Sequence, residues 1–516
     1  MADFVAEVVK TFDIQVIETL DEFRYITVSM LGHIESHWKV AAKRSSPPKR
    51  RWLETEFDCM ISKWSKLQRN GPLRLFAAAN YEGCPVPWRK YKERMADIRA
   101  RFTKTLACFL PGIFLLGFNI GTGSVTTMAK AGATYGMSLL WTIAASCLAT
   151  YFMILIYGKY TLVTGETALQ AFRKHIHPLV GIFFIVALTA AVCGSVMGVM
   201  GIVAEICSEW SKTVIGGGIA PVYFAAFFSA LVYFIFWNGK TEFFERSLAV
   251  IVAIMGGCFL LNFFIMLPPP MSIIAGMIPN IPEVPADAGK GPFLVIASMV
   301  GTTVFSGLFI IRTTLVKEAG WGIENLKEQR NDAMVSVALM FVISMSIMAA
   351  ASSTLFVAGE GLSKASDMIT LLEPLAGKLA TAIFTLGIVA AGVSSQFPNV
   401  LMLPWLLCDY SDSRREMTLP KYRVMVFFIS LLGLVVPIFH ARPVLVMIAS
   451  QALSSVLLPL TVGCIFYLSN RKDLLKEHTN KIGANIILVA IFAFSIVNSS
   501  MAIKGVWENI TDLVAG

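Results

Sequence analysis

The chain has 516 residues, of which 56% are hydrophobic and 15% charged, and its formal net charge is +9. An ordinary soluble domain has about 25% charged residues, so a soluble protein of this composition would lack the polar groups to cover its surface. The apolar residues cluster in blocks of about twenty, the length that crosses a bilayer core. The composition therefore predicts an all-α, polytopic membrane protein, and no nucleic-acid partner is needed to explain the positive charge.

Residues 1–104 differ from the rest of the chain because they hold about 19 basic and about 13 acidic residues. Apolar residues recur there at helical spacing, and a Ser-Ser-Pro-Pro run at 45–48 is typical of a linker. We expect a basic, cytoplasmic, helical N-terminal region. It is interpreted as a solvated extension, a partner domain or a segment lying on anionic lipid.

The remainder, residues 105–516, is expected to form the transmembrane domain. Eleven apolar segments follow one another, near 105–133, 137–158, 178–204, 219–238, 246–268, 293–316, 332–357, 377–408, 423–440, 443–469 and 483–506. The loops on the side of the N-terminus carry most of the lysines and arginines. The positive-inside rule then places the N-terminus in the cytoplasm, and a plasma or bacterial inner membrane is expected.

Two of these segments, the first and the sixth, contain clusters of glycine and hydroxyl residues that interrupt a transmembrane helix. The clusters lie at 117–127 and 300–307. Unpaired backbone is tolerated at membrane depth only where it lines a cavity or is covered by protein. Interruptions five helices apart predict an inverted repeat of five plus five helices, with the substrate site between the two breaks.

Several motifs beyond these breaks resemble the NRAMP family of proton-coupled divalent metal transporters. The matching runs lie at 132–141, 162–166, 331–333, 390–395, 450–451 and 458–459. The resemblance covers about residues 105–505. It implies a LeuT-type fold, symport with protons through carboxylates near the third helix, and a metal ion bound between the first and sixth helices.

The binding motifs of that family are replaced in this chain. Gly-Thr-Gly-Ser at 121–124 stands where the family has Asp-Pro-Gly-Asn, and Phe-Ser-Gly-Leu at 305–308 replaces Met-Pro-His-Asn. Arg312 occupies the place of a second histidine, which favours a gating or selectivity role. Of the family's site residues, only Gln451 is kept. The resemblance thus leaves the metal ligands unknown, although Cys193 or Met128 could supply a sulfur atom.

Acidic residues are scarce in the predicted membrane interior, since none occurs between 105 and 165 and only Asp287 between 284 and 317. Three hypotheses remain: a metal cation transporter with an altered site, a transporter of a small anion, neutral solute or monovalent ion, and a membrane scaffold or sensor that does not transport. No cofactor and no enzymatic activity are expected. The candidate substrate-binding residues are Gly121, Thr122, Gly123, Ser124, Thr302, Thr303, Phe305, Ser306, Gly307 and Gln451.

Overall fold

The computed structural model describes residues 120–215, 218–237, 268–282, 292–359, 373–413 and 416–515, with isolated positions at 254, 256–258, 261 and 362. Regular structure in these ranges is helical throughout. The helices longer than ten residues are α1 Thr122–Tyr135, α2 Leu140–Thr164, α3 Pro178–Ile215, α4 Pro221–Trp237, α5 Phe293–Thr303, α6 Ser306–Glu318, α7 Leu326–Ala351, α8 Glu373–Tyr410, α9 Pro420–Leu431, α10 Pro443–Val456, α11 Leu458–Ser469 and α12 Ile482–Ala515. Shorter helical turns are Ala168–Ala171, Phe172–Ile176, Pro270–Gly276, Ile323–Asn325, Ser352–Phe356, Leu432–Leu434, Val435–Phe439, Lys472–Leu475 and Lys476–His478.

Eight stretches of the described chain are long and apolar enough to cross a membrane. They are Leu140–Thr164, Pro178–Lys212, Phe293–Glu318, Ile323–Phe356, Thr385–Tyr410, Pro420–Phe439, Pro443–Ser469 and Ile482–Glu508, and Pro221–Trp237 is a shorter apolar helix. These nine match nine of the eleven predicted segments. Helix α1 corresponds to the second half of the first segment. Most of the fifth segment, near 246–268, lies outside the described residues, as does the whole N-terminal region 1–104.

Large apolar side chains are exposed on the long helices, while many hydroxyl side chains are buried between them. On α4, Tyr223, Phe227 and Phe234 are 60–70% exposed, whereas Thr127 of α1 and Ser298 of α5 are fully buried. Large exposed apolar surfaces on long helices need a nonpolar environment outside the protein. This arrangement fits an integral, multi-pass membrane protein, as predicted from composition.

The predicted interruption of the sixth segment is confirmed. Helix α5 ends at Thr303 and α6 begins at Ser306, because Val304 and Phe305 leave helical geometry, with Phe305 at φ −78° and ψ 123°. In the first segment, α1 begins at Thr122 directly after an extended Gly121 (φ −100°, ψ −174°). Both sites coincide with the glycine and hydroxyl clusters.

Packing brings these two helix ends together in the interior. Helix α5 packs along α10 and also contacts α1, and α3 packs against both α8 and α10. Gly301 permits the close approach of α5 to α10, since a Cβ atom there would lie 2.1 Å from the carbonyl oxygen of Gln451. The start of α1, the break between α5 and α6, and the middle of α3, α8 and α10 therefore surround one point.

Candidate substrate-binding site

A small cavity of about 40 Å³ lies at this point. Its wall is built from the start of α1, the middle of α3, the α5–α6 break, and one face each of α8 and α10. The lining residues are Gly121, Gly123, Ser124, Ala191, Val192, Ser195, Val199, Thr302, Phe305, Ser395, Asn399, Gln451 and Ser454. Pockets for drug-sized ligands measure roughly 300–1,000 Å³. The cavity thus has room for an ion with a few water molecules rather than for a larger solute.

Neutral oxygen and nitrogen groups supply the polarity of the wall. The hydroxyl oxygens of Ser124 and Thr302 lie 2.7 Å apart in a hydrogen bond that links α1 to α5. The side-chain amide of Asn399 donates to the Ser195 hydroxyl at 3.2 Å and links α8 to α3. Every lining side chain is uncharged, so any ion bound here meets dipoles and not a fixed countercharge.

The start of α1 adds backbone groups to this polarity. Gly121 gives α1 no side-chain cap, so the first N–H groups of that helix lack intrahelical acceptors. At the end of α5, by contrast, the Val300 carbonyl accepts the Val304 N–H and the Thr303 carbonyl accepts a hydrogen bond from Thr150 Oγ1. The backbone therefore contributes donors with a partial positive charge at the start of α1.

The glycines at the start of α1 are required by their neighbours across the cavity. A Cβ atom on Gly121 would lie 2.3 Å from the Cβ of Ser395, and one on Gly123 would lie 2.5 Å from Nε2 of Gln451. Real Cβ atoms do not approach other atoms so closely. An aspartate at position 121, as in the motif that this chain resembles, would therefore displace Ser395, and the glycine is part of a different site geometry.

Six of the ten predicted binding residues line the cavity, and the other four are buried beside it. The six are Gly121, Gly123, Ser124, Thr302, Phe305 and Gln451. Thr122, Thr303, Ser306 and Gly307 support the break instead. The Thr303 carbonyl accepts a hydrogen bond from Thr150 Oγ1 at 2.8 Å, and the Ser306 hydroxyl bonds Thr461 Oγ1 at 2.8 Å.

Arg312 lies outside the wall of the cavity. It is completely buried in α6, and its Nη1 atom donates to Oδ2 of Asp332, on α7, at 2.6 Å. The guanidinium also lies 5.6 Å from the ring centroid of Trp321. Its Nε and Nη2 atoms have no hydrogen-bond partner among the residues that the structure describes. The gating or selectivity role predicted for Arg312 would therefore have to act through the α6–α7 contact.

Apart from Gln451, the candidate list from sequence missed the lining residues on the unbroken helices. Ser395 and Asn399 are four residues apart on α8, a spacing that places both side chains on one face. The same spacing joins Met447 to Gln451 on α10, and Gln451 Nε2 lies 3.6 Å from the Met447 sulfur. That spacing was the available signal. Cys193 and Met128, the sulfur candidates considered from sequence, are not among the lining residues.

No cluster of three or more histidine, cysteine, aspartate or glutamate side chains suited to a metal ion occurs in the described ranges. A cation in this cavity would be bound by hydroxyl, amide and carbonyl oxygens. Such ligands are those preferred by hard cations, but without carboxylates their attraction for a divalent ion is weaker. The site can thus accept a small ion and would exchange it readily.

Comparison with known proteins identifies the family of the chain. The family model "Natural resistance-associated macrophage protein-like" matches residues 113–504. The divalent metal cation transporter MntH of Granulibacter bethesdensis is 23% identical over 375 residues, covering 70% of this chain and 80% of the relative. The natural resistance-associated macrophage protein 2 homolog of Dictyostelium discoideum is 21% identical, covering 77% and 63%.

Solved structures agree on the fold. A mutant form of the Eremococcus coleocola manganese transporter superposes with a TM-score of 0.64 at 15% identity, covering 80% of this chain and 88% of that one. MhsT in complex with L-phenylalanine gives a TM-score of 0.55 at 13% identity, covering 77% and 98%. The match to the family model over most of the sequence, together with this shared fold, shows that the chain belongs to the Nramp family of membrane transporters.

Proposed function

We propose that the protein transports a divalent metal cation through the cavity at the α5–α6 break. The observation that carries this proposal is a cavity of about 40 Å³, lined by oxygen donors, at the interrupted helix of an Nramp-family fold. Similar proteins are named divalent metal cation transporters or manganese transporters. A small, polar cavity suits an inorganic ion better than an organic solute.

The ligands proposed for the ion come from four helices. The hydroxyl groups of Ser124 and Thr302 and the amide oxygens of Asn399 and Gln451 all belong to the wall. Ligand charge sets the affinity of oxygen-based sites over several orders of magnitude. Because the wall is neutral, we expect weak binding and rapid release, with the Ser124–Thr302 hydrogen bond replaced by contacts to the ion.

The orientation and energy source form part of the same proposal. We infer a cytoplasmic N-terminus from the basic loops, and we propose that the protein lies in a plasma or bacterial inner membrane. Residues 105–516 are the transport domain. The ion moves down its own gradient or by symport with a second ion.

Uptake by purified protein in liposomes tests this function. We expect Mn²⁺ to accumulate, and Asn399→Leu to lower the initial rate at least tenfold because a ligand of the wall is lost. Asn498→Leu is the matched control, since Asn498 is buried in α12, is not one of the lining residues, and finds no hydrogen-bond partner for its amide in the described ranges.

Absence of Mn²⁺ uptake under inward and outward proton gradients, in liposomes where a known transporter works, would contradict the proposal. Uptake of chloride or of a small organic solute without Mn²⁺ would contradict it as well and would favour a changed cargo.

A further inference from the structure

Two basic side chains at the start of α9 are held by aromatic rings. The guanidinium carbon of Arg423 lies 4.2 Å from the ring centroid of Trp237, the last residue of α4, and Arg423 Nη2 donates to the Trp237 carbonyl at 3.2 Å. Lys421 Nζ lies 4.5 Å from the ring centroid of Tyr422. Contacts with the face of a ring hold a cation in place without neutralising its charge.

No carboxylate balances these two cations among the residues that the structure describes. Neither Lys421 nor Arg423 takes part in a salt bridge there. The nearest acidic residue in the sequence, Glu416, lies before the start of α9. Lys421 is exposed and Arg423 is partly exposed. Two positive charges are therefore available to an anion at this end of α4 and α9.

An exposed apolar face begins beside these cations and continues along both helices. On α9, Val424, Phe427 and Phe428 are 43–62% exposed, and on α4, Phe227 and Phe234 are 60–68% exposed. On α9 these residues follow Lys421 and Arg423 at helical spacing, so the apolar side chains lie below the charged ones on one side of the helix.

The two helices meet along one seam. The rings of Tyr233 and Phe427 make an edge contact with centroids 5.6 Å apart, one turn from the contact of Arg423 with Trp237. From Trp237 back to Phe227 the helix rises about 15 Å. That distance matches the hydrocarbon depth of one leaflet, half of a core about 30 Å thick. The seam thus has the length of a lipid acyl chain, with cations at one end.

We propose that Lys421 and Arg423 bind the headgroup of an anionic phospholipid whose acyl chains lie along the seam of α4 and α9. A guanidinium group binds phosphate through paired hydrogen bonds, and basic sites between transmembrane helices take anionic headgroups. Tryptophan is enriched at the membrane–water interface, which puts Trp237 and Arg423 at headgroup depth. The inference requires that the chain spans a membrane and is independent of the transported cargo.

A second copy of the chain fits this surface less well than a lipid does. A twofold dimer uses the same patch on both partners. Two copies in the same membrane orientation would bring Lys421 and Arg423 of each chain toward their counterparts, and juxtaposed like charges oppose association. A phospholipid instead supplies a negative charge and apolar chains in the order in which the surface presents their partners.

Native mass spectrometry of the detergent-purified full chain, with equal amounts of phosphatidylglycerol and phosphatidylcholine, tests this site. We expect wild type to retain phosphatidylglycerol in preference to phosphatidylcholine. Lys421→Gln with Arg423→Gln should lower phosphatidylglycerol retention about tenfold and leave phosphatidylcholine retention unchanged. Arg442→Gln with Lys472→Gln is the matched control, because it removes the same two charges from exposed positions outside α4 and α9.

Equal phosphatidylglycerol retention by wild type and the Lys421–Arg423 double variant would overturn the inference and leave the proposed function, measured by Mn²⁺ uptake, standing. A dimer that dissociates in this variant without a change in lipid retention would also overturn it and assign the seam to a second copy. Displacement of the lipid by an equal concentration of soluble glycerol phosphate would contradict the role of the apolar face.

If the double variant does not fold, photoactivatable phosphatidylglycerol added to wild-type protein decides the matter. Labelled peptides from α4 or α9 support the inference. Labelling confined to other helices contradicts it.

Discussion

Arg312 and Asp332 form an ion pair from which solvent is excluded, with side chains 0% and 1% exposed. Removing two charges from water costs several kcal/mol per ion, and the attraction between them recovers this cost only with good geometry. A hydrogen bond from Arg312 Nη1 joins the pair, and within the described part of the chain the other two guanidinium nitrogens find no hydrogen-bond partner. The pair therefore adds little net stability, but either charge left alone would be very unfavourable. Its evident effect is to fix α6 against α7.

Arg312→Ala tests this interpretation. The substitution removes the buried positive charge that faces the Asp332 carboxylate, so we expect the free energy of unfolding to fall by about 3–5 kcal/mol. The double change Arg312→Met with Asp332→Leu removes both charges and should restore most of the loss. Thermal unfolding in detergent measures both. A stable Arg312→Ala protein with altered ion preference would instead support the selectivity role predicted from sequence.

Among the elements, the sequence predicted those features that a local residue pattern marks, such as the helix breaks. Glycine and hydroxyl clusters weaken a helix, so the break at Val304–Phe305 and the start of α1 directly after Gly121 were both visible in advance. Ser395 and Asn399 sit in regular helix, and their four-residue spacing marks a shared face without showing that this face lines the cavity. That depends on how α8 packs against α3, which is a property of tertiary packing.

The connection between α2 and α3 contains an element whose stability depends on pH. Glu166, just outside the membrane-spanning helices, accepts hydrogen bonds from Lys174 Nζ at 2.9 Å and His175 Nε2 at 2.8 Å. Burial raises the pKa of the Glu166 carboxyl, but these two bonds outweigh it and the pKa lies below its usual value of 4.5. Stability from this group is therefore present above about pH 4.5 and is lost as the pH falls through the lowered pKa.

Glu166→Gln should consequently lower the melting temperature at pH 7. The difference from wild type should stay constant down to about pH 5 and shrink below it, as the wild-type carboxylate becomes protonated. Melting curves between pH 3.5 and 8 measure this, with Glu209→Gln as a control in a more exposed pair with Lys212. A difference that does not change with pH would show that Glu166 acts by packing alone.

At the level of the whole molecule, the residues matched by the family model coincide with the helical core that the structure describes. The match covers residues 113–504, and the residues that line the cavity, from Gly121 to Ser454, all fall within it. About two thirds of the net positive charge lies before this part, in residues 1–104. We therefore propose two separable parts, a transport domain and a basic region that binds anionic lipid on the cytoplasmic face.

Deletion of residues 1–95 separates these two parts. Because the cavity and its supporting helices all follow the deletion, we expect Mn²⁺ uptake within about twofold of the full chain at equal reconstitution.

Binding of the detergent-solubilised protein to phosphatidylserine vesicles should fall, since each basic residue near such a surface contributes about 1 kcal/mol of attraction. A full-length variant with Lys43, Arg44, Lys49, Arg50 and Arg51 changed to glutamine should lose part of this binding, and salt should weaken binding of the wild type. Loss of uptake by a truncated protein that still folds would instead make the N-terminal region part of the transport machinery.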